Sequence, residues 1–220
     1  MKTNTGTFKL VLSALMVAMA TVLSLIAFEL PFGGSITIFS MVPLVLVAQM
    51  YGVPWGLLTC AVYGLVQMVL GLKNFGYVSG IPSYVVVFLF DYVLAFAMIG
   101  LSGLTRKMKR RSFAAGLGAL IGCAARFVCH FVSGCTVWGE YAQGWDAPDF
   151  VSSGLLTPTL LPFTYSFVYN CIYMLPETFL TVMGSAIVCT AVFEALKIDP
   201  SAEGTKKLEE ASAEANKTEE

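Results

Sequence analysis

Ionisable residues inside long apolar runs are where this sequence can do chemistry. Four of them, Asp91, Arg126, His130 and Glu177, stand within such runs, and Glu194 lies near the end of one. A charge held in lipid is costly, so each must face a partner, a water-filled cavity or the interior of a helix bundle. Arg126, His130 and Gly134 are spaced i, i+4, i+8, and Trp138 follows four residues later. One helical stripe therefore carries a guanidinium, an imidazole and an indole. On a second helix Tyr84, Phe88 and Asp91 share a face; on a third Tyr169, Tyr173 and Glu177 do, with Tyr165 one turn before Tyr169. Asn170 lies about 140° round an ideal helix from Tyr165, so these two would flank a ligand. Together the groups suit a flat, polar, cationic heteroaromatic molecule. Rings stack on aromatic planes, a positive ring is drawn to π faces, and an aminopyrimidine edge pairs with carboxylate and amide.

Two plainer arrangements fit the same residues. Arg126 and Asp91 could simply neutralise each other between helices, which leaves His130 and Glu177 to explain. The Trp and Tyr residues could form the aromatic belt that collects at membrane interfaces. Trp55 and Trp145 fit belt or loop packing, whereas the helical phase shared with His130 assigns Trp138 to the site.

The elements that must position these groups follow from composition. The chain has 220 residues, 57% of them hydrophobic and only 12% charged, with a mean hydropathy of +0.76. That excludes a soluble domain of ordinary make-up. A helix crossing the roughly 30 Å hydrocarbon core needs about 20 mainly apolar residues. Six runs meet or approach that length, at 9–28, 36–52, 55–72, 83–104, 113–137 and 164–196, the second being short. The fold class expected is an all-α integral membrane protein with six transmembrane helices and an outward-facing ligand pocket, formed by residues 1–196. Residues 197–220 hold 11 charges, from Lys197 to Glu220, and too little apolar content to pack. They read as a disordered cytoplasmic tail.

With six spans both termini share a side. Lys2, Lys9, the cluster from Arg106 to Arg111, Lys197, Lys206, Lys207 and Lys217 place 11 of the 13 basic residues there, so both termini are predicted cytoplasmic. Lys73 and Arg126 are the exceptions. Lys2 and Lys9 precede an apolar run that continues through Phe28, too long for a signal-peptide core, so it is read as the first membrane helix. The outer side then receives the loops 29–35, 73–82 and 138–163, the last rich in aromatics and carboxylates. Cys60, Cys123, Cys129, Cys135, Cys171 and Cys189 lack any CxxC spacing and read as small apolar filler, with no metal or cofactor implied.

The net charge of −1 averages two unlike regions and gives no sign of a nucleic-acid partner. No Gly-x-x-x-x-Gly-Lys-[Ser/Thr] phosphate loop occurs, and no Gly-Lys pair exists, so the chain is not expected to hydrolyse ATP itself.

The run Arg126-Phe-Val-Cys-His130-Phe-Val-Ser-Gly134-Cys-Thr-Val-Trp138-Gly-Glu-Tyr141-Ala, followed by Tyr165-Ser-Phe-Val-Tyr-Asn170-Cys-Ile-Tyr173-Met-Leu-Pro176-Glu177, resembles the thiamine-specific substrate-binding (S) component of energy-coupling factor transporters. The likeness extends over residues 8–196 and includes Asp91-Tyr92 with Leu94-Ala95-Phe96 after it. It implies a prokaryotic plasma-membrane protein that binds thiamine near the extracellular face. It further implies that His130 and Trp138 line the thiazolium, that Tyr165 and Asn170 hold the ring system, and that Asp91 binds the pyrimidine. The family can carry Glu at that acid. Phe32, in the first outer loop, is the candidate for a capping aromatic, and Tyr84 for a further ring. The resemblance also implies three partners, a transmembrane coupling subunit and two ATP-binding subunits. Ala14-Leu-Met-Val-Ala18 has the small-xxx-small spacing that such docking would use. Two other classes of function stay open on the residues alone. One is a stand-alone proton- or sodium-coupled carrier using Asp91, Arg126 and Glu177. The other is an intramembrane enzyme with His130 as base, although no convincing nucleophile or metal set accompanies it.

Overall fold

A computed structural model describes residues 6–29, 34–144 and 160–196. Six helices run through it: α1 (Gly6–Ser24), α2 (Val42–Tyr51), α3 (Val53–Leu70), α4 (Ile81–Thr105), α5 (Arg111–Thr136) and α6 (Leu161–Leu196). Five of these, all but α2, are long and apolar enough to cross a membrane. Between α1 and α2 the strands β1 (Ala27–Glu29) and β2 (Ser35–Thr37) pair antiparallel, with Phe28 opposite Ile36. Short 3-10 turns at Leu72–Tyr77 and Trp138–Gly144 follow α3 and α5. The last four apolar runs and their helices agree to within three residues at each end.

The first two runs differ from expectation, and the difference has one cause. Helix α1 stops at Ser24 rather than continuing to residue 28, and residues 36–41 are not helical. Ser35-Ile-Thr-Ile-Phe-Ser alternates polar and apolar, the period of a strand, and a short apolar stretch cannot by itself distinguish strand from helix. The hairpin takes these residues. Helix α2 keeps only 10 residues, about 15 Å of helix, half the hydrocarbon thickness. It is buried from Val42 to Met50, and the chain enters it through Phe39 in the left-handed region at φ 58°.

A wholly buried half-helix must find partners for its polar groups inside the protein. Gln49 of α2 does so through one amide nitrogen, which donates to Ser102 O at 2.5 Å and Thr105 Oγ1 at 2.9 Å on α4, and to Ala114 O at 3.3 Å on α5. Helices α3 and α4 approach through small residues: a Cβ placed on Gly100 would collide with the backbone of Gly56 and Leu57. Without a solvent-driven attraction between apolar helices in lipid, such close backbone contact is a main source of association. Helices α5 and α6 run antiparallel, with Gly134 against Ser166 and Asn170 near one end and Gly116 against Val182 and Ala186 near the other.

The Gly100 contact gives a direct test. Gly100→Val should destabilise the bundle by about 1–3 kcal/mol or more through overpacking, seen as a fall of several degrees in the thermal midpoint of the detergent-purified protein. Gly76→Ala is the control, because nothing lies within 4 Å of a Cβ there. Equal midpoints for the two variants would contradict the α3–α4 packing.

Candidate ligand-binding site

A cavity of about 540 Å³ lies where the ends of α1, α3, α5 and the beginning of α6 converge under the hairpin. Arg126, His130, Gly134 and Trp138, the stripe read from the sequence, all line it. Asp91, Tyr165, Asn170, Tyr169 and Tyr173 line it as well.

Asp91 reaches the cavity from an unusual piece of α4. Residues Val87–Val93 form a π-helical turn, a wider winding that recurs at functional sites because it re-aims side chains. The Asp91 carboxylate gathers three side chains. Its Oδ1 lies 3.0 Å from His130 Nδ1, and its Oδ2 accepts from Ser133 Oγ at 2.7 Å and from Trp138 Nε1 at 2.9 Å. An ionised carboxylate only accepts, so Nδ1 donates this bond. His130 Nε2 has no hydrogen-bond partner among the described residues. Two oxygens offer about four acceptor positions, so one remains open at Asp91 among the described residues.

The second charge centre lies deeper. Arg126 and Glu177 form a buried ion pair at 2.6 Å, their side chains 7% and 3% exposed. Glu177 Oε1 also accepts from Thr37 Oγ1 at 2.5 Å, and Thr37 in turn bonds Ser40. The guanidinium sits over the Phe96 ring, 4.8 Å from its centroid. Arg126 is thus neutralised by Glu177, and Asp91 is engaged by His130. The direct Arg126–Asp91 neutralisation, left open by the sequence, does not occur.

On α6 the aromatic wall is continuous. Tyr165 stacks on Tyr169 with centroids 5.6 Å apart, Tyr169 meets Tyr173 edge-on at 5.7 Å, and Tyr173 meets His130 edge-on at 6.2 Å. Asn170 donates to Ser166 O at 2.8 Å and accepts from Tyr173 OH at 2.6 Å. Gly134 is required here: a Cβ would overlap Ser166 Oγ, so only glycine lets α5 and α6 come this close. The hairpin closes over the top. Gly34 N–H donates to Tyr169 OH at 3.1 Å, and Glu29 pairs with Lys73 at 2.6 Å across the mouth.

Two expected site residues are not part of this arrangement. Tyr84 does not line the cavity; it is 41% exposed and stacks on Phe75 at 5.9 Å in a separate apolar groove. The π turn is the reason. Its residues advance through a smaller angle than α-helical ones, so Tyr84 and Asp91 no longer share the face an ideal helix would give them. Glu177 does not line the cavity either, but stands behind Arg126. Phe32 lies outside the described residues. Gln67, Asn74 and Tyr92 also line the cavity, although nothing in the sequence assigned them a role there. Gln67 Nε2 donates to Ser24 Oγ at 2.7 Å, and Tyr92 OH joins Asn74 and Gly71 at the cavity rim. These side chains are uncharged, so a search for charges in lipid misses them. Gln67, a full amide within an apolar helix, is the detectable one.

Apolar helices enclosing a polar, aromatic-walled cavity define a multi-pass membrane protein with an internal polar cavity. The chain belongs to the thiamine transporter protein family (Thia_YuaJ), whose model matches residues 10–197. It is 30% identical over 197 residues to thiamine transporter ThiT of Bacillus subtilis (strain 168), covering 84% of this chain and 87% of that protein. Its structure resembles that of ThiT from Listeria monocytogenes with a TM-score of 0.62 and 25% identity, over 84% of this chain and 94% of that one. These relatives are transporters, not enzymes.

Proposed function

We propose that this chain is the high-affinity thiamine-binding S component of an energy-coupling factor importer. It captures thiamine at the extracellular face and releases it inward once joined to a transmembrane coupling subunit and two ATP-binding subunits. The observation that carries this reading is the cavity itself: a carboxylate, an imidazole, an indole and stacked phenols around a space of about 540 Å³. Thiamine offers a flat cationic ring and an aminopyrimidine, which call for aromatic faces and for a carboxylate with a free acceptor position. His130 and Trp138 take the thiazolium, Tyr165 and Asn170 border the rings, and Asp91 receives the pyrimidine amine.

Orientation follows from charge. The basic cluster at 106–111 lies at the end of the bundle away from the cavity, since Arg111 and His130 are 19 residues apart on one helix, about 28 Å. With the cluster and both termini cytoplasmic, the cavity opens outward. Ala14 and Ala18 both lie on the exposed face of α1, beside exposed Leu10, Leu15 and Val22. A small-residue stripe open to the bilayer suits docking of the coupling subunit.

Titration of the detergent-purified protein with thiamine should quench intrinsic Trp fluorescence saturably at submicromolar ligand. The quenching should vanish in Trp138→Ala, and binding should weaken in His130→Ala. No response to thiamine together with a response to riboflavin or biotin would overturn the substrate assignment. Docking is tested separately. Ala14→Trp or Ala18→Trp should impair ATP-driven uptake by the assembled transporter yet leave thiamine binding at the wild-type level, and equal loss of both would contradict a docking role.

A further inference from the structure

Among the described residues the charged groups on the cavity wall are Glu29, Lys73, Asp91 and Arg126, with Glu177 directly behind Arg126. Glu29 and Lys73 pair with each other at the mouth, 65% and 62% exposed, where water screens both. Arg126 and Glu177 cancel each other in the dry interior. Asp91 is held by His130, Ser133 and Trp138, none of which carries a fixed positive charge. One negative charge therefore remains for the ligand, and it does so because Glu177 removes the effect of Arg126. In a low-dielectric cavity an uncancelled guanidinium would act on a cationic ligand across several ångströms.

We infer that Glu177 is a specificity-determining positioning residue: without touching the ligand, it neutralises Arg126 and thereby sets the cavity's net charge to match a monovalent cation. The inference rests on the binding of thiamine in this cavity. Glu177 also accepts the Thr37 hydroxyl at the root of the hairpin, so a purely structural role is the rival, and the test must separate the two.

Two ligands of the same shape make that separation: thiamine, and an analogue whose thiazolium is replaced by an uncharged thiophene. Their affinities are measured by calorimetry on the wild type, Glu177→Gln, Arg126→Gln and the double variant. Glu177→Gln should weaken thiamine about tenfold or more and the neutral analogue less than about threefold. Arg126→Gln should move the thiamine-to-analogue ratio the opposite way, and the double variant should return it to within about threefold of the wild type. A Glu177→Gln variant that loses both ligands equally, or neither, overturns the inference. If Glu177→Gln does not fold, Arg126→Gln and the double variant decide: an unchanged ratio between them overturns it. A wild-type protein that binds no thiamine defeats the functional reading, whereas normal wild-type binding with charge-blind variants defeats the role of Glu177 alone.

Discussion

The buried ion pair between Arg126 and Glu177 is the contact on which the rest of this structure depends. It joins α5 to α6, the two helices that pack most extensively, and through Thr37 it fastens the hairpin to both. Breaking a buried pair by removing one partner costs about 3–5 kcal/mol, a large share of the roughly 5–15 kcal/mol that separates a typical domain from its unfolded state. The pair also divides the interior. On one side lies the cavity, with the remaining carboxylate of Asp91 exposed to a ligand; beyond it α5 and α6 continue as packed apolar helix.

This division explains how a membrane protein can keep polar side chains in its interior. Asp91 gathers His130, Ser133 and Trp138, Asn170 is held by Ser166 and Tyr173, and Gln49 at the far end is held by α4 and α5. The Asp91 and Gln49 networks each join two or three helices, so neither can form before those helices dock. Polar satisfaction thus specifies which helix neighbours which, where apolar contact alone would be permissive in lipid.

The long helices were legible in the sequence because uninterrupted apolar runs of membrane length allow few other structures. So was the stripe from Arg126 through His130 to Gly134, since a regular α-helix brings every fourth residue to one face; Trp138 stands beyond the end of α5, in the 3-10 turn, and reaches the same cavity from there. The hairpin was not, because residues 25–28 and 36–41 extend the apolar runs on either side of the loop at 29–35, and only the alternation around Thr37 favours a strand. Tyr84 was misplaced because the π turn at Val87–Val93 leaves no mark in the hydrophobic period. The partner of Arg126 was recoverable in principle. Twelve residues separate Arg126 from Trp138, and twelve separate Tyr165 from Glu177. On antiparallel helices whose cavity ends meet, equal spacing brings the two charges to the same depth. What hid this was the rival pairing with Asp91, which only the rotation of α4 decides.

The most direct measurement is a structure of the protein with thiamine bound. The expected result places the ligand inside the cavity beside His130 and Trp138, with its amino group on Asp91 and the Arg126–Glu177 pair intact behind it. Thiamine lodged outside this cavity, or bound there only after Glu177 has withdrawn from Arg126, would contradict the charge arrangement on which the site is built.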